Sequence, residues 1–178
     1  MAKTVAFLRG MNVGGHRITN ADLTTHFVAM GFDDVSTYRA SGNVLFDDGG
    51  LDSAAVVARI ESSLLKGLGY EVPTLVRTAA QVAAIEALRP FTAQELAAST
   101  GKVQVTLYRQ APSRSQAAEV LSHASEDDRL AVNGCELYWL PKGRMTDSLM
   151  DVKAIDRILG VGTTRTLGTL SAIAKRVG

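Results

Sequence analysis

The order of strand and helix signals along the 178 residues predicts an α+β protein. It comprises two ferredoxin-like (split βαβ) subdomains with mainly antiparallel sheets and extra C-terminal helices. Three observations predict this. Short apolar or alternating runs bounded by glycine and proline read as strands. Apolar residues at helical spacing behind Ser, Thr or Asp caps read as helices. These signals run β-α-β-β-α-β over 1–77 and β-α-β-β-α over 102–178, with a helical linker over 78–101.

In the first half, Thr4 to Arg9 is a short apolar run suited to a central strand. Thr19 caps a helix, with Asp22 three residues on as an approximate capping box; Leu23, Phe27 and Met30 share one face and Gly31 ends it. Asp34 to Ala40 is the next strand, Ser41-Gly42-Asn43 a tight turn, and Asn43 to Asp47 the strand that pairs back. Asp52 opens a second helix with Val56, Ile60 and Leu64 on its apolar face, stopping near Gly67 or Gly69. Glu71 to Arg77 is the fourth strand, where Pro73 favours an edge. This topology makes the first and third strands central, adjacent and antiparallel. The end of one then lies beside the start of the other, and the loop 9–17 meets the turn 39–43.

Thr78 and Gln81 form a capping box for a helix carrying Val82, Ile85 and Leu88, which Pro90 ends. Ser99-Thr100-Gly101 marks a boundary. Lys102 to Arg109 alternates as a strand. Pro112 and Ser113 start a helix carrying Ala117, Val120, Leu121 and Ala124. Arg129 to Val132 and Glu136 to Leu140 are strands joined through Asn133-Gly134, the strongest hairpin signal in the chain. Tyr138 and Trp139 alternate, so one is expected in the core and the other toward solvent; an exposed aromatic there could stack a base, but with so few aromatics core packing is the better reading. A helix with Leu149, Val152, Ile155 and Leu159 ends at Gly160. A last helix with Leu170, Ile173 and Val177 stands where a fourth strand would complete the repeat.

Hydrophobic content of 46% and charged content of 21% are those of an ordinary globular protein. A net charge of +1 gives no strong pull toward nucleic acid or membrane. Seven basic residues from Lys142 to Arg176 face only Asp147, Asp151 and Asp156, which makes the tail mildly basic. The simplest reading is a set of solvated helix faces, with nucleic acid as the remaining alternative. The single cysteine, Cys135, excludes an internal disulfide and suits a reducing compartment. The apolar run Val5 to Leu8 is too short for a signal peptide. The expectation is a soluble, cytoplasmic protein without membrane association.

The stretch from Phe7 to Arg17 holds the chain's most distinctive chemistry. Glycines let successive backbone N–H groups turn toward one anion, and Arg9, His16 and Arg17 add charge-assisted donors. The candidate ligand-binding residues are therefore Arg9, Gly10, Asn12, Gly14, Gly15, His16 and Arg17, joined by Ser41, Gly42 and Asn43. The competing reading is architectural: Asn12 and the Ser41-Gly42-Asn43 turn bond local backbone, and the glycines permit close packing. The loop is neither a Walker sequence nor a dinucleotide fingerprint, and Gly160-Val161-Gly162 follows a helix rather than a strand.

No catalytic residue is assigned. Ser41 lacks a nucleophile elbow, and its base by topology is His16 alone. His16, His26 and His123 have no ligand spacing, so no metal or other cofactor is expected. Three functions remain open. The first is a small-ligand or anion-binding module. The second is a structural or interaction module, homo-oligomeric in one version. The third is an enzyme acting on a phosphorylated or nucleotide-like substrate, ranked last because the motifs supply no carboxylate.

The run Phe7-Leu8-Arg9-Gly10-Met11-Asn12-Val13-Gly14-Gly15, followed by Thr37-Tyr38-Arg39-Ala40-Ser41-Gly42-Asn43-Val44-Leu45-Phe46, resembles the signature of the bacterial domain of unknown function 1697 family. Leu140-Pro141 and the Ser148-Leu149 region are similar to its later blocks. The resemblance implies an α+β fold of two similar subdomains and no established biochemical role. In that family a C-terminal block reads Thr-Arg-Asn-Trp-Asn-Thr. Here it is Thr164-Arg165-Thr166-Leu167-Gly168-Thr169, without the amides and the tryptophan, which implies a different ligand, or none, if those amides bind one.

Overall fold

The computed structural model describes residues 3–11, 17–39 and 42–178. It contains two four-stranded antiparallel sheets, each with helices packed against it, and a C-terminal helix. Contacts divide the chain into one unit of Met1–Ala84 with Ile173–Gly178, and a second of Ile85–Ala172.

The first unit is built from β1 (Lys3–Leu8), α1 (Asn20–Ala29), β2 (Asp33–Thr37), β3 (Asn43–Asp47), α2 (Ser53–Leu68) and β4 (Thr74–Thr78). The strand order is β2-β3-β1-β4, so β1 and β3 are central. They pair antiparallel, with Phe7 opposite Asn43 and Lys3 opposite Asp47. Pro73 precedes β4, an edge strand, so its missing N–H costs no ladder bond. The Thr19 hydroxyl accepts from Asp22 N at 3.0 Å to cap α1. The Asp52 carboxylate accepts from Ala54 N and Ala55 N to cap α2.

One face of this sheet and both helices enclose a core that includes Ala6, Leu8, Leu23, Val44, Ile60 and Leu64. Phe27, Phe32 and Phe46 form its aromatic centre, with ring centroids 4.5 to 5.9 Å apart. Val5, Phe7, Leu45 and Leu75, alternating with that set, are also buried. β2 is irregular between Asp33 and Ser36, where Asp34 adopts φ 46°.

After α3 (Ala79–Ala87) and α4 (Ala93–Ala97), the second sheet comprises β5 (Gln104–Leu107), β6 (Asp128–Asn133), β7 (Glu136–Pro141) and β8 (Thr163–Thr166), in the order β6-β7-β5-β8. Helices α5 (Arg114–Leu121) and α6 (Val152–Leu159) supply Val120 and Ile155 to a core with Tyr108 and Leu137. Asn133 pairs with Glu136 around Gly134, the hairpin expected there. The Thr78–Gln81 box is formed, the side chain of each taking the backbone N–H of the other. Ser99-Thr100-Gly101 is bound tightly to the end of β7: Thr100 N donates to Lys142 O at 2.9 Å and Ser99 Oγ to Pro141 O at 2.6 Å.

Three expectations need correction. A fourth strand does complete the second repeat: β8 pairs with β5 before α7 (Leu167–Val177) begins. Its sequence, Thr-Thr-Arg-Thr, has no apolar alternation, so only the pairing reveals it. Leu149 is not on the apolar face of α6; it precedes the helix and is 99% exposed. Neither Tyr138 nor Trp139 faces solvent. Both are buried, because each polar tip finds a partner inside. The Tyr138 hydroxyl donates to Ile85 O at 3.0 Å and Trp139 Nε1 to Asp128 Oδ1 at 2.7 Å.

Candidate functional site

The antiparallel pairing of β1 and β3 brings the described ends of the glycine loop and the glycine turn together. Leu8 N donates to Gly42 O at 2.8 Å. Gly42 has φ 68°, and a Cβ there would lie 2.8 Å from Met11 Cγ and 3.0 Å from Leu8 Cβ. Two demands therefore select glycine: a left-handed backbone and close contact with the start of the loop. The inner side of this junction is filled by Leu8 and Met11, both buried.

Asn43 is fully buried, and its Nδ2 donates to Tyr38 O at 2.9 Å while Tyr38 N donates to Asn43 O at 2.9 Å. Its side-chain amide thus ties the turn to itself. Arg9 N donates to Pro73 O at 2.9 Å, fastening the loop entry to the start of β4. Gly10 is left-handed at φ 74° and Arg17 is exposed. Asn12, Gly14, Gly15, His16 and Ser41 lie outside the described residues.

Three groups beyond the candidate ligand-binding residues also stand at this end. Arg39 adopts φ 58°, a region non-glycine residues rarely enter, at a cost of about 1–2 kcal/mol. Its guanidinium carbon lies 5.5 Å from the Tyr38 ring centroid, and Nε donates to the Tyr38 hydroxyl at 3.3 Å. Arg176, from the last turn of α7, stands 4.8 Å from the same centroid. A carboxylate is also present: Glu61 Oε1 accepts from Thr74 N at 2.8 Å. Thr74 pairs with Leu8, so Glu61 reaches the same sheet end as the loop. Arg176 and Glu61 sit on helices far away in sequence, and neither carries a local motif.

The opposite end of this sheet holds Asp47 and Asp48. Both carboxylates cap the glycine turn that follows, and Asp48 also accepts from Thr4 Oγ1 at 2.6 Å.

The second unit has an open cleft of about 810 Å³ whose walls include His123, Asp128, Lys142, Arg144, Ser148 and Leu149. Asp128 is buried at its base, accepting from Trp139 Nε1 and, at 2.8 Å, from Ser148 Oγ. The cations at the rim are paired, Lys142 with Asp127 at 2.7 Å and Arg144 with Asp147 at 2.9 Å. The Asp127 hydrogen bond and charge raise the Lys142 ammonium above the usual lysine range. Among the described residues, no group of three or more His, Cys, Asp or Glu side chains is arranged to hold a metal ion. No helix among them is long and apolar enough to cross a membrane.

In the C-terminal block, Arg165 donates from one nitrogen to Thr163 Oγ1 and Thr164 O, each at 2.8 Å. Burial pulls its guanidinium down to about 10, so it stays charged at neutral pH. The Thr166 hydroxyl accepts from Thr169 N at 3.1 Å, closing the junction from β8 into α7. Thr166 thus has a structural role at the junction where the resembling family carries an amide.

No curated protein matches the chain. A solved structure described as that of conserved bacterial protein SP0830 from Streptococcus pneumoniae is similar, with a TM-score of 0.73 and 19% sequence identity over 99% of this chain and 98% of that one. At that identity the likeness speaks for the fold alone. Residues 1–138 match the family described as protein of unknown function (DUF1697), and the chain belongs to that family.

Proposed function

We propose that this protein binds a small anionic ligand on the outer rim of the first sheet, between segments 9–17 and 39–43. The observation that carries this reading is the Leu8–Gly42 hydrogen bond, which joins the two sequence-distant turns at one edge. The rim there presents the exposed cations Arg17 and Arg39, and no described carboxylate forms an ion pair with either. Backbone turns with positive φ at Gly10 and Gly42 suit the close approach of an anion. Calorimetric titration with phosphate, sulfate and nucleoside phosphates is the test. Saturable binding that weakens in Arg17→Gln supports the reading; equal affinity in that variant rejects it.

A second reading, an interaction module, draws on Leu149. This side chain is 99% exposed, yet its loop is fixed by Ser148 Oγ, which donates to Asp128 and accepts from Met150 N at 3.0 Å. A rigidly presented apolar residue beside a cleft suits a protein contact. Light scattering of the wild type against Leu149→Asp distinguishes the two. A concentration-dependent assembly abolished by the substitution favours it, and an unchanging monomer excludes self-association through this loop.

A further inference from the structure

We propose that Tyr38, Arg39 and Arg176 form a clamp for a phosphate group, which makes the last turn of the C-terminal helix part of the binding rim. The clamp deepens the anion-binding reading and rests on it.

Two guanidiniums share one aromatic ring, at 5.5 and 4.8 Å from its centroid, so like charges are held within the sum of those distances. The ring face offsets part of their repulsion. A bound anion would offset the rest. Several cations of the chain sit beside carboxylates: Lys3 by Asp34, Arg129 by Glu95, Lys142 by Asp127, Arg144 by Asp147 and Arg157 by Asp151. Others, such as Lys66, Lys102 and Lys153, stand alone in solvent among the described residues, so what distinguishes Arg39 and Arg176 is that two cations meet at one ring. Among the described residues, no carboxylate forms an ion pair with Arg39 or Arg176.

Helix-dipole complementarity accounts for basic residues in the last turn of α7. It does not account for setting Arg176 on a ring that already carries Arg39. Nor does it explain why Arg39 keeps a left-handed backbone. Strain of that kind points toward a ligand site when the surrounding structure holds it in place. The surroundings do so here: Tyr38 is anchored through both backbone groups by Asn43.

The chemistry selects phosphate over carboxylate. A carboxylate has two oxygens and one charge, which a single guanidinium fork satisfies. A phosphate group offers more oxygens and up to two charges, so it engages two forks together. Free phosphate and the phosphoryl group of a larger ligand share this chemistry.

The test is calorimetric titration of the intact protein with inorganic phosphate, with acetate as control and a nucleoside monophosphate as a further arm. Arg176→Gln and Arg39→Asn are the variants; asparagine tolerates the left-handed backbone. Unchanged melting temperatures establish that both are folded. The clamp requires saturable phosphate binding, weaker acetate binding, and a loss of about tenfold or more in each variant. Tighter binding of the nucleotide assigns the phosphoryl group of a larger ligand, and equal binding assigns free phosphate. No saturable phosphate binding, or wild-type affinity in Arg176→Gln, overturns the clamp. Arg17→Gln separates the two proposals. A loss there alone leaves the glycine-loop reading without the clamp, and a loss in the Arg39 and Arg176 variants alone leaves the clamp without that reading.

Discussion

Tyr38 and Asn43 hold each other across the β2–β3 turn with two hydrogen bonds. One runs from Tyr38 N–H to the Asn43 carbonyl and the other from Asn43 Nδ2 to the Tyr38 carbonyl, both at 2.9 Å. The pair fixes the main chain of Tyr38 where β2 runs into the turn. Arg39 and Arg176 therefore meet at a ring whose backbone is held at both its N–H and its carbonyl.

Asn43→Ala removes a buried donor and leaves the Tyr38 carbonyl without it. The expected loss is about 1–3 kcal/mol of stability, read from urea unfolding. Asn43→Asp should restore less than the wild-type stability, because a carboxylate cannot donate to that carbonyl. A variant as stable as wild type would show that the bond adds nothing.

Gly42→Ala introduces a side chain against Met11 and Leu8 and forces a left-handed backbone on alanine. A destabilisation of roughly 2 kcal/mol follows from the backbone term with a modest steric addition. Gly101→Ala has a different cause, since its Cβ would collide with the carbonyl oxygens of Pro141 and Gly143. Backbone cannot yield as a flexible side chain can, so it should lower the melting temperature too.

Asp128 holds the buried indole N–H of Trp139 and the Ser148 hydroxyl at once. Asp128→Ala leaves both without their acceptor and should cost about 2–4 kcal/mol. Ser148→Ala should be milder and local. Amide exchange at Met150 should accelerate, because Ser148 Oγ accepts its N–H. Unchanged exchange there would refute the proposed anchoring of the loop.

Burial and the nearby Glu136 charge push the Tyr138 hydroxyl up to about 12. The folded state therefore keeps a proton that the unfolded state releases near pH 10. The resulting stability is fully present below pH 10 and is lost as pH rises toward 12. The full effect is on the order of 2–3 kcal/mol. Tyr138→Phe should flatten this alkaline limb in unfolding titrations. An identical limb in the variant would assign it to other groups.

Local signals made much of the architecture legible. The caps at Thr19, Asp52, Thr78 and Ser113, the Asn133-Gly134 hairpin and the apolar run of β1 each act within a few residues, and each forms as read. Element order then implied that β1 and β3 are central neighbours, so the approach of Leu8 and Met11 to Gly42 followed from topology. β8 escaped because four residues without apolar alternation become a strand only through pairing with β5. Alternation at Tyr138 and Trp139 points one ring to solvent because it assumes one wet face; the sheet has none at their positions, and core packing holds for both.

Thus residue pattern alone was enough for most of the secondary structure, the doubled α+β plan and the adjacency of Leu8 and Gly42 at one sheet end, because those depend on short-range backbone preferences, periodicity and element order. It could not place Arg176 on Tyr38, Glu61 at Thr74 or Asp128 beneath Trp139 and Ser148. Those contacts join residues 11 to 138 positions apart. They exist because burying the apolar faces fixes where each helix and strand ends, and nothing in the local sequence at either partner encodes the other.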